Sequence, residues 1–74
     1  MANYDFLVTG VDPEMTLEGQ AQSDAEAWRE AVLLASEIMR ERPLLQSGAF
    51  RLRVRVTTPQ GKNVCCVEAC ADAV

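Results

Sequence analysis

Residues 23–43 read SDAEAWREAVLLASEIMRERP, and this stretch decides the fold. Ser23 with Glu26 three positions on makes a capping box, in which each side chain satisfies a backbone N–H that the first helical turn leaves unpaired. Asp24 and Glu26 also set negative charge at the positive end of the helix dipole. Pro43 stops the helix, because its ring disfavours a helical Arg42 and it brings no N–H. A helix is therefore expected over residues 24 to 42, about 28 Å long at 1.5 Å per residue.

At 100° per residue, Ala25, Trp28, Ala31, Val32, Ala35, Ile38 and Met39 share one stripe, which Ala27 and Leu34 widen to about half the cylinder. Trp28, the largest side chain and central in that stripe, is expected in the core. Glu26, Arg29, Glu30, Glu37, Arg40 and Glu41 fill the other half, with Leu33 alone among them. One sheet covers about a third of a helix surface, so this apolar arc exceeds what a single packing partner needs. Leu44 and Leu45, or a second chain, are expected to cover the surplus.

Outward from the helix, both flanks read as hairpins. Tyr4, Phe6 and Val8 alternate with Asp5, Leu7 and Thr9, a period-two strand whose aromatic side faces the core. Gly10-Val11-Asp12-Pro13-Glu14 turns the chain. Met15, Leu17, Gly19 and Ala21 then alternate with Thr16, Glu18, Gln20 and Gln22, a second strand with one wet face.

Past the helix, Phe50 to Val56 places Phe50, Leu52, Val54 and Val56 on one face and Arg51, Arg53 and Arg55 on the other. Thr58-Pro59-Gln60-Gly61 is a turn with Gly61 in the left-handed position, and Val64 to Glu68 returns. Two registers compete. A three-residue turn pairs Val56 with Val64 and Leu52 with Glu68. A one-residue shift pairs Leu52 with Val67 and sets Arg51 against Glu68, which burial prefers.

The order strand-strand-helix-strand-strand with short connections implies one domain over residues 1–74. The expected fold is α+β: a four-stranded antiparallel sheet (ββαββ) with one helix packed on one face. Strand order 2-1-3-4 makes every neighbouring pair antiparallel.

The composition argues against catalysis. The chain has no His, the commonest general base and metal ligand. Cys65, Cys66 and Cys70 form neither a disulfide framework nor a zinc set, and read as free thiols in a reducing compartment. No catalytic residue, cofactor or metal is expected. No apolar run approaches the roughly 18 residues a membrane helix needs, and the N-terminus lacks a secretory pattern. The expectation is cytoplasmic, in a host bacterium's cytoplasm if the chain is phage-encoded.

Charge is segregated. Residues 1–41 hold nine acidic side chains against two arginines, a balance of −7; residues 42–74 hold five basic against two acidic, +3. Such an acidic chain is repelled by nucleic acid at long range. The Arg51/Arg53/Arg55 stripe is either a contact for phosphates or an acidic partner, or a solvated face cross-paired with Asp5, Glu18 or Glu68. Sheet-type RNA binders stack bases on exposed aromatics, and this face has none. Glu26, Glu30, Glu37 and Glu41 are either a solvated face or an acidic surface that competes for a basic, nucleic-acid-binding groove on another protein.

Two resemblances add to this. Tyr4 and Phe6, Glu18-Gly19, Asp24-Ala25-Glu26-Ala27, Arg53-Val54-Arg55, Gly61 and Asp72-Ala73-Val74 are similar to the pattern of a family of short bacterial proteins known only as a domain of unknown function. In size, acidity and layout the chain also resembles small phage-encoded inhibitors of bacterial defence, the anti-CRISPR proteins, which occupy nucleic-acid-binding surfaces of larger complexes. That likeness implies a non-enzymatic protein-binding module acting as an inhibitor. The alternatives are a homodimeric bacterial domain and a weak nucleic-acid binder using the arginine stripe. The expected partner-binding residues are Glu26, Glu30, Glu37, Glu41, Leu33, Leu34, Arg51, Arg53 and Arg55. The expected partner is another protein, a basic nucleic-acid-handling complex.

Overall fold

The computed structural model of the chain describes residues 1–41 and 50–71. In it β1 (Ala2–Thr9) and β2 (Met15–Ala21) form a hairpin, α1 (Asp24–Glu41) follows, and β3 (Phe50–Thr57) and β4 (Asn63–Ala71) form a second hairpin. The four strands make one antiparallel sheet in the order β2-β1-β3-β4, with α1 against one face. The helix start follows the capping argument: the Glu26 N–H donates to Ser23 Oγ at 3.2 Å and the Ala27 N–H to the Ser23 carbonyl at 3.0 Å. Leu44 and Leu45, expected over the helix, and residues 72–74 lie outside the described residues.

The core collects the inward residues of the two central strands, Tyr4, Phe6, Val8, Leu52, Val54 and Val56, beneath Ala27, Ala31 and Ala35. Those three alanines recur every fourth residue, so they stand in one row. Small side chains there let the helix settle close against β3 and β4. The expectation that Trp28 is core is therefore wrong. It is 53% exposed, because the helix is rolled toward Ala27 and leaves the Trp28 side of the stripe outside the contact. Val11, read only as part of a turn, is buried instead.

That turn depends on Gly10, which sits at φ 86°, a left-handed conformation that side chains rarely adopt. A Cβ there would lie 2.5 Å from the Arg51 carbonyl oxygen. The first hairpin thus closes directly on the backbone of β3.

The second hairpin resolves its register with an irregularity between Val56 and Thr57. Thr57 faces Asn63, as the short turn requires, and one residue later the ladder has shifted so that Val56 faces Cys65 and Val54 faces Val67. Gly61 at φ 89° and the Gly61 N–H bond to the Thr58 carbonyl at 2.8 Å hold the turn. Neither register read from the sequence is the one formed. Leu52 faces Ala69, and Arg53, not Arg51, faces Glu68. A β-bulge lets turn geometry and burial both be satisfied, since the extra residue returns Val67 to the helix side.

Candidate functional site

Only part of the sheet is covered. Helix α1 packs chiefly over β4 and β3 and touches β2 less. Between α1 and β2 this offset leaves a groove of about 300 Å³, lined by Phe6, Leu17, Glu18, Gly19, Gln20, Glu30, Leu33, Leu34 and Glu37. Its floor is apolar. Leu17 on the strand side is 41% exposed and Leu33 on the helix side is 52% exposed. Gly19 shapes the floor: the Phe6 ring lies over it, and an added Cβ would sit 3.1 Å from Phe6 Cε1.

The groove's rim is acidic. Glu30 and Glu37 are both exposed and two helical turns apart, whereas Glu18, on the strand opposite, alternates with Leu17 and Gly19 and so turns to the sheet's other face with Asp5. Among the described residues the ion pair formed is Arg53 with Glu68, so no basic side chain there neutralises the rim. Strand β2 is also a sheet edge, with β1 on one side and, among the described residues, no strand on the other. Backbone hydrogen-bonding groups therefore lie beside the apolar floor.

Of the partner-binding residues expected from sequence, Glu30, Leu33, Leu34 and Glu37 converge here. Glu26 lies in the first helical turn and Glu41 at the helix end, and neither lines the groove. The arginines occupy the other face of the sheet. Arg53 donates from Nη2 and Nε to Glu68 Oε1 at 2.6 and 3.0 Å, whereas Arg51 and Arg55 make no ion pair among the described residues. Asp5 and Glu18, considered as partners for the stripe, face each other across β1 and β2. The sequence reading missed Phe6, Leu17, Glu18 and Gly19 as site residues. The β2 alternation contained the signal, but which strands the helix leaves bare is not written in that alternation.

The titratable groups near the helix start are shifted for structural reasons. The Tyr4 hydroxyl donates to Asp24 Oδ1 at 2.8 Å; this bond, then burial and the Asp24 and Glu26 charges, pushes Tyr4 above its ordinary value. Burial pushes the Cys65 thiol up, with Cys66 and Asp24 adding to it. A raised thiol value keeps the sulfur protonated and a weak nucleophile. Cys65, Cys66 and Cys70 are free. Among the described residues, no group of three or more acidic or cysteine side chains is placed to hold a metal ion. No described helix is long and apolar enough to cross a membrane.

The chain matches, over residues 10–70, the family described as a domain of unknown function, DUF6894. That span takes in Glu18-Gly19, the start of α1, the Arg53-Val54-Arg55 strand and Gly61. No curated protein matches the chain, and no solved structure does.

Proposed function

We propose, from the premise that the chain belongs to this family of domains of unknown function, that it is a non-enzymatic protein-binding module. Its groove between α1 and β2 takes a basic, amphipathic segment of a partner protein. One observation carries this reading: two exposed leucines, Leu17 and Leu33, line one cleft whose helix-side rim is Glu30 and Glu37. Apolar side chains of the segment would cover the leucines while its lysines or arginines meet the carboxylates. In its narrower form the reading is an inhibitor. A basic segment that otherwise follows phosphates would lie against Glu30 and Glu37, which is the form that the likeness to anti-CRISPR proteins suggests.

Titration with a fluorescent amphipathic Leu/Lys helical peptide tests the proposal, with polarisation as the readout. Binding is expected to weaken steeply with salt, because rim charges are screened. Reversing Glu30 and Glu37 to Lys together is expected to cost about tenfold or more in affinity. Arg51→Glu with Arg55→Glu should leave binding intact. Peptide binding that ignores the glutamate reversals, or no binding at low salt, defeats the proposal. Binding of a single-stranded oligonucleotide that the arginine reversals abolish would move the site to the open sheet face.

A further inference from the structure

The opposite flank of α1 differs in every respect that matters for a partner. The groove lies on the Leu34 side of the buried Ala27/Ala31/Ala35 row, facing β2. At 100° per residue Trp28, Val32 and Met39 lie on the other side of that row, which is the β4 side, because α1 packs most against β4. Trp28 is 53% exposed there, Val32 and Met39 are half-buried, and none of the three carries charge.

Beside them runs the outer edge of β4, unpaired on that side among the described residues. The strand is nine residues long, NVCCVEACA, and its single charged residue, Glu68, is held by Arg53. Long, flat edges without charge are what soluble proteins usually avoid, by lysines, prolines or short strands. β4 has no lysine or proline and is not short; its bulge, at Val64, sits at the turn end and leaves Cys65 to Ala71 regular.

We propose that this surface is covered by a second copy of the chain, β4 running antiparallel to its counterpart so that two sheets join and the Trp28 flanks of the two helices face each other. Charge selects this occupant. A two-fold interface sets a patch against itself, so an unneutralised charge near the axis meets its like. β4 itself, with its one carboxylate paired within the chain, satisfies that condition; Arg51 and Arg55 stand one strand further from the edge, on the face away from the helix. The groove flank, with Glu30 and Glu37, does not and calls for a basic partner instead. The two surfaces are on opposite sides of the helix, so a dimer built this way leaves both grooves open.

Trp28, the only tryptophan, reports on the interface directly. Sedimentation equilibrium of the full chain is expected to give twice the 8.1 kDa protomer mass at high micromolar concentration. On dilution, Trp28 emission should shift to the red and become more accessible to acrylamide as the dimer parts. Trp28→Glu should sediment as a protomer with unchanged helical circular dichroism, and Trp28→Ala, a better helix former, should weaken the dimer in the same direction. Leu33→Glu, on the other flank, should leave the mass doubled. A wild-type chain that stays a protomer, a dimer that survives both Trp28 variants, or dissociation by Leu33→Glu would each overturn the proposal.

Discussion

Strand β3 and the β2 edge both turn apolar residues inward but end in different states. Leu52, Val54 and Val56 are fully buried, with α1 packed chiefly on their half. Leu17, at the equivalent inward position of β2, is left 41% exposed because the helix stops short of it. Hydropathy decides which face of a strand turns inward, and coverage decides whether that face is dry. One helix cannot cover four strands whose neighbours stand about 4.8 Å apart, so its lateral position determines where apolar surface remains. Here that surface becomes a groove on one flank and an exposed tryptophan on the other.

The sharpest way to break this comparison is the same substitution made in both halves. Leu52→Ala should cost about 2–5 kcal/mol, the range for deleting a fully buried leucine, as read by denaturant unfolding. Gly10→Ala comes next, at about 1–2 kcal/mol or more, since it forces a left-handed residue against the Arg51 carbonyl. Leu17→Ala should cost about 1 kcal/mol or less, because much of the leucine is already in water. If Leu17→Ala equals Leu52→Ala, the helix covers β2 and the groove does not exist.

Smaller effects sharpen the picture. Trp28→Ala should cost the separated protomer about 1 kcal/mol, since about half of the side chain is already in water, measured by unfolding at concentrations where the chain is monomeric. A loss of several kcal/mol there would return Trp28 to the core. Glu68→Gln should be smallest, about 0.5 kcal/mol, since both partners of the Arg53 pair are about half exposed. Unfolding at low and high salt checks it.

The Tyr4–Asp24 bond adds a pH signature to the helix start. A tyrosine raised by folding contributes stability that is complete below its ordinary value of 10.0 and is lost as pH rises toward the higher folded value. Unfolding curves of the wild type should therefore weaken more above pH 10.0 than those of Tyr4→Phe.

Local chemistry made much of this molecule legible in advance. Ser23 capped the helix, Gly61 took the left-handed turn position, alternation located four strands, and chain direction implied the order 2-1-3-4; all are observed. Each follows from neighbours within a few residues or from the hand of the chain. Half of the expected acidic ridge, Glu30 and Glu37 with Leu33 and Leu34, was likewise visible from helical periodicity and does line the groove.

What only the tertiary structure decided depends on how layers meet. Helical periodicity defined an apolar arc wider than one contact, so it could not say whether Trp28 or Ala27 would face the sheet. The structure sets Ala27, Ala31 and Ala35 into the core with Tyr4, Phe6 and the inward residues of β3, and leaves Trp28 outside it. Neither turn chemistry nor burial alone determined the second hairpin's register, because each preferred a different pairing and a bulge between Val56 and Thr57 reconciled them. The sequence by itself determined which residues want water and where the chain turns. The packing of one helix over part of a four-stranded sheet decided which of the apolar residues would not be hidden from it.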